Sequence, residues 1–193
     1  MTIYKIEMTA TQLRLTAPYN PNFIVSAKAK LGAKWDGECW CFDIRDQDAV
    51  LKLVETTYGW RMGMPLVSVN VKFNEDRRYG QGPCVLLGRV IAAATGRDSG
   101  AKLGNGVRLV DGVATSGGSV KNWTTEIHDG SEFVVHDVPA EMAQDYITGK
   151  RESRNVVVAL VAPSAPAVVD KTSLEEERMA LMQRLTEIDA QLA

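Results

Sequence analysis

Long apolar runs are missing from this 193-residue chain. None approaches the ~18 consecutive residues that a bilayer-spanning helix requires. The opening Met1-Thr2-Ile3-Tyr4-Lys5-Ile6-Glu7 has no basic stretch followed by an apolar one, so no secretory leader is expected. Cysteine is scarce: Cys39, Cys41 and Cys84 are an odd count, which suits reduced thiols and a cytoplasmic location better than a disulfide framework. Histidine is scarcer still, with only His128 and His136, too few to complete a zinc site with ligand-spaced partners. Neither a Gly-x-x-x-x-Gly-Lys-Ser/Thr loop nor a Gly-x-Ser-x-Gly elbow occurs, which removes the commonest nucleotide-hydrolysing and serine-hydrolase signatures. A large excess of charge is also lacking. The net charge of −2 provides no global attraction to phosphate, so any nucleic-acid contact must come from a local patch.

What is present is an ordinary globular composition, 45% hydrophobic and 24% charged, enough for one domain or two small ones. Ile3–Met8 and Gln12–Thr16 alternate apolar and polar residues and predict two half-buried strands. Pro18-Tyr19-Asn20-Pro21 ends the second, with Asn20 as N-cap and Pro21 at the first helical position. Phe23, Ile24, Ala27 and Leu31 share a helix face that Gly32 terminates. Residues 35–44 predict an Asp-Gly turn and a strand, with Trp40, Phe42 and Ile44 on one face and Cys39 and Cys41 on the other. Asp46 is a candidate cap for a second helix carrying Val50, Leu53, Val54 and Thr57 on one side, with Gly59 as its stop. Residues 1–62 therefore form a small ββαβα-like module.

After Met62-Gly63-Met64-Pro65 the pattern changes. Leu66–Phe73 alternates for eight residues, and further strands are expected at 84–87, 90–94, 107–110, 132–136 and 155–161, with a short helix over 139–146. Twelve of the 16 glycines lie between Gly80 and Gly149, which fits a β-rich antiparallel middle domain over 63–162. A linker over 163–172 leads to an amphipathic helix over 173–193. Its Leu174, Leu181, Leu185, Ile188 and Leu192 form a heptad-like seam for a coiled coil, a second copy or a partner protein. The expected class is α+β: N-terminal module, β-rich middle, C-terminal helix.

The module also carries a resemblance. Tyr19-Asn20-Pro21, Phe23, Leu31-Gly32-Ala33-Lys34-Trp35-Asp36, Trp40 and Phe42 resemble the HARP-type module of annealing helicases, over residues ~10–60. That resemblance implies recognition of single-stranded or branched DNA, without a motor, since no motor motif follows. The implied surface is Arg14, Lys28, Lys30 and Lys34 as phosphate contacts, beside an aromatic platform with Tyr19 and Trp35. The competing reading places the aromatics in the core and the lysines on a solvated face. A second candidate surface comprises Arg97, Asp98 and Lys102 in one glycine-dense loop and Lys121, Asn122 and Trp123 in another. Cys39 and Cys41 are expected to pack as small apolar residues, and no metal or other cofactor is expected.

The chain reads as a non-catalytic accessory protein of a phage or plasmid, binding nucleic acid (DNA or RNA) or a nucleoprotein complex. The alternative is an inhibitor docking on a host protein–RNA defence complex, of anti-CRISPR type, which near-neutral charge suits. A hydrolase or nuclease using the glycine-rich loops ranks third.

Overall fold

The computed structural model describes residues 3–151 and 154–161. Two hydrophobic clusters organise these residues within one compact unit, residues 1–161.

The N-terminal cluster is covered by a four-stranded antiparallel sheet of order β1-β2-β4-β3, comprising β1 (Lys5–Met8), β2 (Gln12–Thr16), β3 (Lys34–Trp35) and β4 (Trp40–Asp43). Two helices pack on it, α1 (Pro21–Leu31) and α2 (Gln47–Tyr58). Strand alternation sends Leu13, Leu15 and Phe42 inward. Phe23 and Ala27 of α1 meet them, as do Val50, Val54 and Tyr58 of α2, at i, i+4 and i+8. Gly32 (φ 56°) and Gly59 (φ 62°) end the helices in the left-handed conformation, where a Cβ would be strained. The Asp-Gly turn and strand expected over 35–44 are the turn and second strand of a hairpin, β3–β4, and Ile44 leaves the strand for a 3-10 turn at Ile44–Asp46. Asp46 makes no side-chain cap. Asp43 caps the 3-10 turn instead, accepting from the Arg45 N–H at 2.9 Å.

The second cluster gathers three antiparallel sheets and a helix. The first sheet, of order β10-β13-β5-β14, contains β5 (Leu66–Phe73), β10 (Val107–Asp111), β13 (Glu132–Pro139) and β14 (Val156–Leu160). The second, of order β11-β12-β6, contains β6 (Arg77–Gly80), β11 (Ala114–Gly118) and β12 (Trp123–Ile127). The third, of order β7-β8-β9, contains β7 (Cys84–Leu86), β8 (Arg89–Ala94) and β9 (Ala101–Leu103). Val69, Val71 and Phe73 alternate inward from β5 and meet Phe133 and Val135 of β13, while α3 (Ala140–Ile147) adds Met142 and Ala143.

The α+β expectation is overturned. Strand accounts for 43% of the described residues against 22% helix, with three α-helices and four sheets. Part of the difference lies at residues 101–103, 114–118 and 123–127, where no strand is expected from the sequence and which overlap the glycine-dense stretches 96–102 and 116–123: all three are strands. The small residues of 114–118 tolerate strand geometry once neighbouring strands satisfy the backbone, an effect that local propensity does not register, whereas Trp123, Thr124, Thr125 and Ile127 favour strand by themselves. The helix and seam expected over 173–193 (Leu174, Leu181, Leu185, Ile188, Leu192) lie outside the described residues. Among the described residues no helix is long and apolar enough to cross a membrane.

Candidate functional site

The loop before α1 is held from both sides. Asn20 Oδ1 accepts from the Asn22 and Phe23 N–H groups at 2.9 and 3.2 Å, while its Nδ2 donates to the Gly88 carbonyl at 2.8 Å. The Tyr58 hydroxyl donates to the Pro18 carbonyl at 2.9 Å. Burial pushes the Tyr58 phenol pKa upward, so it remains a neutral donor. Between these fixed points Tyr19 projects outward, 59% exposed.

The β3–β4 hairpin supplies the facing wall. Trp35 and Trp40 are register partners, with ring centroids 5.2 Å apart, and Trp40 meets the edge of Phe23 at 6.5 Å. Trp40 is half-buried, whereas Trp35 is 52% exposed. Lys28 Nζ lies 5.6 Å from the centre of the Trp40 ring, within cation–π range. Asn105, in the turn between β9 and β10, joins these residues to line a groove of ≈ 460 Å³. Flat apolar walls, two exposed rings and one ammonium group suit a planar, electron-rich ligand face.

The sequence-predicted residues do not all converge here. Tyr19, Lys28 and Trp35 do. Lys30 is exposed two positions beyond Lys28, about 200° around the helix. Lys34 and Arg14 both register with Cys41, on the sheet face opposite the Trp35–Trp40–Leu15 row. There Arg14 Nη2 contacts Asp36 Oδ2 at 2.6 Å, and its Nε donates to Cys39 Sγ at 3.2 Å. The Cys39 and Asp36 contacts both hold the Arg14 guanidinium pKa above its usual range. Hydrogen bonds from the Cys39 and Glu38 backbones hold the Asp36 carboxyl well below its ordinary value. Desolvation, with the Asp36 contact next, pushes the Cys41 thiol up to about 11.

The second candidate surface is built from turns. Ser99 Oγ accepts from the Thr95 and Gly96 N–H groups at 3.0 and 3.2 Å, and Ser116 Oγ bridges the Arg97 carbonyl and the Gly100 N–H. Arg97 pairs with its neighbour Asp98 at 2.8 Å, which neutralises much of its charge locally. Lys102 is an exposed residue of β9. Lys121 and Asn122 form the tip of the β11–β12 hairpin, where Asn122 N–H donates to Ser119 Oγ at 3.1 Å. Trp123 opens β12 opposite Gly118, half-buried. The Ser99 and Ser119 hydroxyls are thus committed to backbone groups. The serine that meets a histidine is Ser68, 2.9 Å from His136 Nδ1, and no described carboxylate bonds the other ring nitrogen.

No family model matches the chain, and neither a curated protein nor a solved structure does. Two contributors are not among the site residues expected from the sequence. Asp36 stands three residues before Cys39, and counting carboxylates beside thiols would have found it. Asn105 had no local signal, because only the tertiary fold brings it to the groove.

Proposed function

We propose that this chain is a non-catalytic accessory protein, of the kind carried by a phage or plasmid, that binds nucleic acid or a nucleoprotein complex through its N-terminal module. The supporting observation is the groove between Tyr19 and Trp35, two exposed rings beside Lys28. A nucleobase stacked on such an exposed ring contributes about 1–3 kcal/mol. Stacking rather than charge dominates this reading, because Arg14, Arg45 and Arg97 are already paired with carboxylates. The strand recognised is single or unpaired, since a duplex buries its base faces.

The same pairing supports a second reading, an inhibitor docking on a host protein–RNA defence complex. A protein target needs no basic groove, and the chain's net charge is −2.

Fluorescence anisotropy with single-stranded DNA, forked DNA and single-stranded RNA at two salt concentrations tests the first reading. Binding to unpaired strands with a shallow salt slope is expected, about −0.7 per phosphate neutralised. Absence of affinity for every nucleic acid overturns direct nucleic-acid binding by the groove. A stable complex with a purified protein–RNA defence complex, in the absence of such affinity, selects the second reading.

A further inference from the structure

We propose that Asp36, Cys39 and Cys41 form a binding site for a thiophilic divalent cation, Zn²⁺, on the sheet face opposite the aromatic groove, with Arg14 as its outer-sphere partner. The donor atoms of the three residues lie within 4.8 Å of one another. Both sulfurs stand 3.5 Å from Asp36 Oδ2. Around tetrahedral zinc, Zn–S near 2.3 Å and Zn–O near 2.1 Å give an oxygen-to-sulfur edge of about 3.6 Å. Both oxygen-to-sulfur separations therefore already match those around one ion, and the two sulfurs lie within 4.8 Å of each other.

The β3–β4 turn pre-forms this arrangement. Asp36 N–H donates to the Cys39 carbonyl at 3.2 Å. Asp36 Oδ1 is occupied by the Glu38 and Cys39 N–H groups at 2.9 and 2.8 Å, which turns Oδ2 toward the thiols. Oδ2 has two lone pairs, and Arg14 takes one of them at 2.6 Å. The N–H from Arg14 to Cys39 Sγ is the kind of outer-sphere bond that steadies a metal-bound thiolate.

Charge selects the ion. A carboxylate and two thiolates carry three negative charges, and Arg14 offsets one. Lys34 and Glu38 flank the site with opposite signs, and Lys5 is paired with Glu7 at 2.5 Å. A dication brings the cluster to neutrality, whereas a monovalent ion leaves it negative. Two sulfur donors disfavour Mg²⁺ and Ca²⁺, which take oxygen. Binding is balanced by release of the two thiol protons to solvent. Three protein ligands leave the fourth tetrahedral position for water or an added ligand.

The bland alternative, thiols packed as apolar groups, describes Cys84 rather than this pair. Cys84 sits inside the larger hydrophobic cluster, while Cys39 and Cys41 belong to neither cluster and point at a carboxylate. The inference is independent of the proposed function, since the groove lies across the sheet.

Titration of the reduced, tag-free full-length chain with Co²⁺ tests it. One equivalent is expected to bind, with the visible absorption of tetrahedral cobalt and a near-ultraviolet thiolate-to-metal band, both removed by Zn²⁺. Cys39→Ser and Cys41→Ser should each abolish the tetrahedral signature, Arg14→Gln should weaken affinity about 10-fold, and Cys84→Ser should leave it unchanged. Absence of a thiolate band in the wild type, or its survival in the Cys39→Ser/Cys41→Ser variant, overturns the site. A second measurement needs no variant: Zn²⁺ should protect Cys39 and Cys41 from alkylation and release two protons per ion. Equal labelling with and without Zn²⁺ overturns the proposal.

Discussion

Asn20 and Gly88 are joined by a 2.8 Å hydrogen bond from Asn20 Nδ2 to the Gly88 carbonyl, across 68 positions of sequence. Gly88 (φ 72°) and Leu87 (φ 53°) form the tight turn between β7 and β8, and that turn rests on the end of α2. One buried amide thus starts a helix with its oxygen and ties the two clusters together with its nitrogen. The two roles can be separated. Asn20→Asp keeps an equally good cap but loses the amide donor to Gly88 and sets a carboxylate against a carbonyl. A stability loss of about 1–3 kcal/mol is expected from urea denaturation, and a midpoint equal to wild type refutes the coupling.

Arg89, the next residue, is 1% exposed. Its guanidinium donates to the His136 and Asp137 carbonyls at 2.7 and 2.6 Å and reaches the Tyr4 hydroxyl at 3.3 Å. Those carbonyls belong to a bulge in β13, where Asp137 adopts φ 55°. Arg89→Leu removes the guanidinium from both part-buried carbonyls and should lower stability by about 3–5 kcal/mol. Arg89→Lys, a point charge without the planar fork, should fall between. Guanidinium denaturation reads both, and a loss for Arg89→Leu under 1 kcal/mol, well short of the estimate, contradicts the role.

Gly104 is required by close approach. A Cβ there would lie 2.8 Å from the Val90 carbonyl carbon and closer to its oxygen, and neither can move without breaking β8. Gly104→Ala should cost more than about 3 kcal/mol, whereas Gly96→Ala, which meets nothing within 4 Å, should stay within about 0.5 kcal/mol of wild type. Thermal melts of the two variants side by side check the contrast.

Alkaline pH should destabilise the larger cluster. Burial pushes the Cys84 thiol up to about 11. The unfolded thiol ionises near its ordinary value of about 8.5, so the folded state holds a proton that the unfolded state releases. Stability is complete below that value and falls as pH rises toward 11, by up to about 1.4 kcal/mol per pH unit. Cys84→Ala should flatten the slope in denaturation curves taken across this window. An unchanged slope assigns the effect elsewhere.

Trp35 should carry affinity without carrying stability. Trp35→Ala is expected to weaken binding to unpaired strands by about 1–3 kcal/mol. Its melting temperature should change little, because the ring is 52% exposed. Lys28→Gln should weaken binding less and reduce the salt slope by about 0.7. Titrations of both variants at two salt concentrations check this, and a Trp35→Ala variant that binds as wild type removes the groove from the interface.

Local chemistry alone was enough to identify several elements. Asn20-Pro21 and Gly32 bound α1 because capping and left-handed stops depend on a few adjacent residues. The eight-residue alternation of Leu66–Phe73 specified β5 for the same local reason. The aromatic character of the groove was legible in Tyr19, Trp35 and Trp40, but not which charges join it. Strand parity sends Lys34 and Arg14 to the far face, and that parity depends on a hairpin register only the folded sheet defines. The strand at 114–118 was hidden because its glycines and serine acquire strand structure from their neighbours rather than from their own preference, and the one at 101–103 because three residues are too short to show a period. The Asn20–Gly88 bond, the buried Arg89 and the place of Asn105 in the groove likewise join residues far apart in sequence, and no periodicity encodes such distances.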